Sequence, residues 1–140
     1  MTLATANVKI FACSAHDAKM FVLSQSGEVL QTHGKPGSGP ADGELSDEEA
    51  YELSDEKAHQ AESPPAGELC GPYLCAVDSD ESLLVADCGN DRLQVCDVSG
   101  QWSVLDLEPP VTTPNSAVVI DNKLYVCSSV DKTLSVYASE

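Results

Sequence analysis

Short apolar runs, a period-two alternation of apolar and polar positions, and turn signals between them mark this chain most clearly over residues 83–95, LLVADCGNDRLQV. An apolar run, Leu83, Leu84, Val85 and Ala86, ends in a turn cluster of Asp87, Cys88, Gly89, Asn90 and Asp91. Leu93 and Val95 then fall on one face of a second run, with Gln94 and Cys96 on the other. A further turn signal, Asp97, Val98, Ser99 and Gly100, precedes a short apolar stretch through Trp102, Val104 and Leu105. Strand, turn, strand, turn, strand in so few residues predicts a small antiparallel meander. Such a meander cannot bury both of its faces alone.

Two weaker copies of the stretch supply its neighbours. A shift of 41 residues carries Leu83, Leu84, Val85 and Ala86 onto Leu124, Tyr125, Val126 and Cys127, and Leu93 and Val95 onto Leu134 and Val136. A shift of 73 residues the other way reaches Ile10, Phe11, Ala12 and Cys13, then Met20 and Val22, with Gly100 falling on Gly27. A period of about forty residues with several short strands per unit is the mark of a β-propeller blade. The predicted strands are 8–13, 19–24 and 28–32 in the first unit. They are 73–77, 81–87, 92–97 and 101–105 in the second, and 116–120, 123–127 and 133–137 in the third.

The best unit, residues 71–100, resembles an NHL repeat. Pro72 stands before the first strand, Asp87 closes the second, and Asn90-Asp91-Arg92 leads into an alternating third strand, with Gly100 in the turn beyond. The resemblance marks Asp87, Asn90, Arg92 and Gly100 as its structural repeat motif. Asp87 and Arg92 flank one turn and are read as a bridge that holds the hairpin. The outer copies keep the apolar frame but carry Asp17-Ala18-Lys19 and Asp131-Lys132-Thr133 where the middle one has Asn90-Asp91-Arg92. The expected fold is all-β, a partial propeller of about three NHL-like blades with a long acidic insertion. Its divisions are 1–35, an incomplete first blade; 36–69, link and insertion; 70–107, the second blade; and 108–140, an incomplete third. A closed propeller has at least about four blades, so the chain reads as a piece of a longer propeller protein.

Composition breaks sharply after residue 34. Gly34, Pro36, Gly37, Gly39 and Pro40 define a loop. From 41 to 63 come nine carboxylates against one cation, Lys57, which accounts for half of the chain's net charge of −16. ELSDEEA is followed eight residues later by ELSDEKA. Ser46 with Glu49 fits a capping box, yet high charge with few apolar residues predicts a disordered rim loop. Ser46 and Ser54 lie in acidic surroundings that acidophilic kinases accept, so both are candidate phosphorylation sites, Ser46 the better one.

Chemical motifs are scarce. His16, His33 and His59 do not recur at equivalent blade positions, and there is no GxSxG elbow, HExxH or phosphate-cradling loop. Cys70 and Cys75 lack a second pair at metal-ligand spacing, so neither a metal nor another cofactor is expected. The six cysteines read as reduced, small apolar side chains. The N-terminal segment, with Lys9 its only cation, does not read as a signal peptide, and no apolar run approaches the roughly 20 residues of a membrane helix. A cytoplasmic chain with no membrane partner is expected.

NHL propellers close tripartite-motif ubiquitin ligases, where they select substrates. The resemblance therefore implies a non-catalytic module that binds a protein partner, with ligase activity confined to domains outside this sequence. RNA binding, known for some NHL propellers, needs a basic face, and the acidic balance opposes it. A metal-dependent propeller enzyme of the lyase or lactonase type is the remaining alternative. Oligomeric state stays open.

Overall fold

A computed structural model describes residues 8–37 and 64–138. The expected acidic loop, with Ser46, Ser54 and His59, lies outside the described residues. All regular structure among the described residues is β, apart from one short 3-10 turn.

Three antiparallel meanders follow the chain in order. The first is β1 (Lys9–Ser14), β2 (Lys19–Ser24) and β3 (Val29–His33). The second has four strands, β6 (Pro72–Val77), β7 (Leu83–Asp87), β8 (Arg92–Cys96) and β9 (Trp102–Val104). The third is β10 (Ser116–Ile120), β11 (Lys123–Ser128) and β12 (Thr133–Ala138). These are blades of a β-propeller.

Turn chemistry explains why the chain reverses where it does. Asp121 and Asn122, at φ 50° and 63°, make the two-residue hairpin turn whose positive dihedrals suit the right-handed twist of strands. Gly27 and Gly100 both sit at φ 90°, and each donates its N–H to the carbonyl three residues back, Ser24 and Asp97. The turn between the second and third blade strands is more informative. Ala18, Asp91 and Lys132 are all left-handed, at φ 55°, 55° and 56°, and they lie 73 and 41 residues apart. The outer copies have lost the Asn90-Asp91-Arg92 residues but kept the backbone conformation.

The middle blade hides both of its faces, one against each neighbour. Alternation gives the middle blade a back face bearing Leu83, Val85 and Cys96, and a front face bearing Leu84, Ala86 and Leu93. The back face packs on Met20 and Ala18 of the first blade, with Phe11, Cys13 and Trp102 around them. The front face packs on Ala117 and Val126 of the third, joined by Val111. Every residue of β7 is buried, because a blade between two blades has no solvent face.

One local expectation is corrected. Residues 34–40 are not wholly loop, since β4 (Lys35–Pro36) pairs in parallel with β5 (Glu68–Leu69). The ladder tolerates Pro36 because its donors are the flanking amides, Lys35 N to Gly67 O at 3.1 Å and Gly37 N to Leu69 O at 2.9 Å. The pair brings residues 37 and 64–69 together, so the long insertion leaves and re-enters at one place. Loop-closure entropy rises only slowly with loop length, and an insertion with its ends joined costs the fold little.

Candidate functional site

The antiparallel order places the β7–β8 turn and the links between blades on one rim of the structure. The β6–β7 and β10–β11 turns lie on the opposite rim. Each rim carries one organised feature.

On the first rim, the motif residues form a buried polar clamp. Asp87 ends β7 fully buried, and Arg92 opens β8 at 7% exposure, so the hairpin brings them face to face. Arg92 Nε donates to Asp87 Oδ2 at 2.8 Å. Asn90 Nδ2 donates to the same carboxylate at 2.9 and 3.1 Å, and the Cys70 amide donates to its Oδ1 at 2.8 Å. The guanidinium then reaches away from the hairpin. Nη2 donates to the carbonyls of Glu68 at 2.8 Å and Pro65 at 3.1 Å, and Nη1 to that of Pro64. The bridge expected across the turn is therefore present, but it does more than hold the hairpin. It fastens the incoming link to the blade.

Gln94 completes the clamp, and the sequence reading passed over it. Its Nε2 donates to Asp87 Oδ2 at 3.0 Å and Glu68 O at 3.1 Å, while its Oε1 accepts from the Gly67 amide at 2.9 Å. The available signal was a glutamine at a position whose alternate neighbour, Cys96, is apolar. Asn90 Nδ2 also donates to Gly37 O at 2.9 Å, which ties down the other end of the insertion. No buried side-chain polar atom among the described residues lacks a partner. Gly100, the fourth motif residue, lies apart from the clamp in the β8–β9 turn. There Asp97 Oδ1 accepts from Ser99 and Gln101, and the Ser99 hydroxyl holds the Asp97 carboxyl below its ordinary range.

The third blade repeats the clamp with smaller groups. Ser128, at the position of Asp87, shares a 3.0 Å hydrogen bond with the Thr113 hydroxyl of its link and accepts from Asp131 N. Asp91 reaches across the blade boundary to accept from Thr113 N at 2.7 Å. The links on this rim are thus pinned by side chains from consecutive blades.

The opposite rim opens into a groove of about 680 Å³ between the second and third blades. Leu84, Val95, Leu107, Val119, Leu124 and Tyr137 line it, and Asp78, Ser82 and Asn122 stand among the walls as polar groups. Its volume lies within the range of small-molecule pockets.

The remaining candidates are scattered. His16 lies in the exposed β1–β2 turn and His33 at the end of β3. All six cysteines are free thiols, with Cys96 buried and Cys127 exposed. Burial pushes the Cys96 thiol up to about 11 and raises those of Cys13, Cys70, Cys75 and Cys88. No group of three or more His, Cys, Asp or Glu among the described residues stands close enough to hold a metal ion.

No protein-family model and no curated protein matches the chain. Solved structures do. A streptogramin B lyase structure superposes with a TM-score of 0.50 over 94% of this chain, at 13% identity. Virginiamycin B lyase from Staphylococcus aureus superposes with a TM-score of 0.49 over 94%, at 12% identity. The chain spans 37% and 38% of their lengths. The likeness shows the β-propeller fold and does not reach the NHL or tripartite-motif assignment. The expectation of a non-catalytic module is corrected to this extent: the fold that this chain shares with the streptogramin B lyase structure is one that carries an enzyme.

Proposed function

We propose that this chain supplies three blades of a propeller enzyme of the lyase type, with the groove between its second and third blades as a candidate seat for an apolar part of the substrate. The observation that carries the reading is the superposition on a streptogramin B lyase over 94% of the chain. It favours the lyase alternative over the partner-binding propeller of a tripartite-motif ligase. The structure adds a physical rationale. A groove lined by Leu84, Leu107, Val119 and Tyr137 offers an apolar wall against which an apolar group can lie.

The test is to incubate the purified chain with streptogramin B, separate substrate from any ring-opened product by liquid chromatography, and weigh each by mass spectrometry. A lyase breaks a bond without taking up water, so the expected product carries no added water. Unchanged streptogramin B, or a product that has gained water, overturns the proposal.

A further inference from the structure

The outermost faces of the chain are apolar sheets that nothing in the described structure covers. On the front of the third blade, Val118 pairs with Tyr125 and Tyr125 with Val136, while Cys127 pairs with Leu134. Leu134 is 65% exposed and Val136 51%. The 41-residue spacing gives these positions a meaning. Tyr125 opposite Val136 and Cys127 opposite Leu134 stand in the third blade where Leu84 opposite Val95 and Ala86 opposite Leu93 stand in the second. In the second blade this grid is the surface that seats the third, and there Ala86 and Leu93 are fully buried.

The back of the first blade is the other half of the same joint. Ile10 pairs with Leu23 and Ala12 with Phe21. By the 73-residue spacing they stand where Leu83 opposite Cys96 and Val85 opposite Gln94 form the surface that the second blade presents to the first. Ile10 and Val29 on this side are exposed. Among the described residues there is therefore one open front and one open back of a joint that the blades make twice.

We propose that the occupant is a second copy of this chain, joined head to tail so that the third blade of each copy seats the first blade of the other. A head-to-tail joint gives either a closed ring or an open filament. Two copies of three blades make six, within the 4–8 of closed propellers. Two copies related by a two-fold axis close the ring with two identical seams and leave no apolar face open. Each chain has a net charge of −16, so self-repulsion opposes assembly, and added salt strengthens it by screening. The assembly stands whether or not the ring is a lyase.

Light scattering on the size-exclusion eluate of the intact chain tests this across concentration and salt. The expected particle contains two chains and forms more readily as salt rises. Leu134→Arg blocks the front and Ile10→Arg the back, so each variant alone runs at half the wild-type mass. Mixed together they recover a two-chain particle, because one front and one back remain intact. A wild-type chain that stays single at its solubility limit, or has no defined mass, overturns the proposal. So does a two-chain particle that survives both substitutions. Should a variant lose its β-sheet circular dichroism, the wild-type mass against concentration and salt still decides. Streptogramin B turnover is a separate readout, so failure of the lyase reading leaves this outcome untouched.

Discussion

Removing the Asp87 carboxylate tests the clamp most severely. In Asp87→Ala the guanidinium of Arg92, only 7% exposed, keeps the carbonyls of Pro64, Pro65 and Glu68 but loses its counter-charge. Breaking one side of a buried ion pair costs about 3–5 kcal/mol. The three remaining acceptors put the charge near the low end of that range. Asn90 and Gln94 each retain a second acceptor, Gly37 O and Glu68 O, but the Cys70 amide loses the carboxylate that it bonds. A hydrogen bond of that kind adds about 1 kcal/mol, which brings the total to about 4 kcal/mol. Against a domain stability of about 5–15 kcal/mol this is a large share. The assay is urea unfolding followed by the fluorescence of Trp102, whose ring lies against Gly67 in the clamped link. Asp87→Ala is expected to lower the midpoint strongly. Asp87→Ala/Arg92→Met is expected to cost less than the two single changes together, because no buried charge is left alone. A loss below about 1 kcal/mol in Asp87→Ala would refute the account of the clamp.

Three further outcomes follow from particular residues. Gly34 sits at φ 94°, and a Cβ there would meet Leu69 Cδ1 at 2.8 Å and the Ala18 carbonyl oxygen at 3.0 Å. Gly34→Ala is expected to cost about 1–3 kcal/mol in urea melts, since one of those neighbours is backbone. Met20, fully buried between the first two blades, is expected to cost about 2–5 kcal/mol on truncation to alanine, read as a lowered thermal midpoint. The Cys96 thiol is raised from 9.0 to about 11 in the fold. Its contribution is fully present below 9.0, where both states are protonated alike. As pH rises from 9.0 towards 11 the unfolded chain loses this proton first, so stability falls across that window. Melts in Cys96→Ala are expected to lack that component.

The blades themselves were legible because strand, turn and period leave local marks. Leu93 and Val95 opposite Gln94 and Cys96 fixed the faces of β8, and the spacings of 41 and 73 residues located all three meanders. The outer turns were less legible. Ala18 and Lys132 adopt the left-handed conformation that Asp91 advertises, but neither residue type announces it. The reach of the clamp was not legible at all. Arg92 and Gln94 bond the main-chain carbonyls of Pro64, Pro65 and Glu68, and a backbone carbonyl has no sequence signature. The β4–β5 ladder was hidden for a similar reason, since Pro36 argues against a strand while its neighbours' amides make one. Function was the least legible, because the groove lies between blades and its walls, Leu84 and Leu124, are ordinary strand residues taken singly.

Amide hydrogen exchange on the intact chain tests most directly the central claim, that the middle blade is sandwiched between two others. Protection tracks burial and cooperative packing. The account predicts the slowest exchange in β7 and β8, whose residues lie between blades, and fast exchange in β3 and β12, which border no further strand among the described residues. Rapid exchange in β7 and β8, or exchange there as fast as in the edge strands β3 and β12, would contradict it.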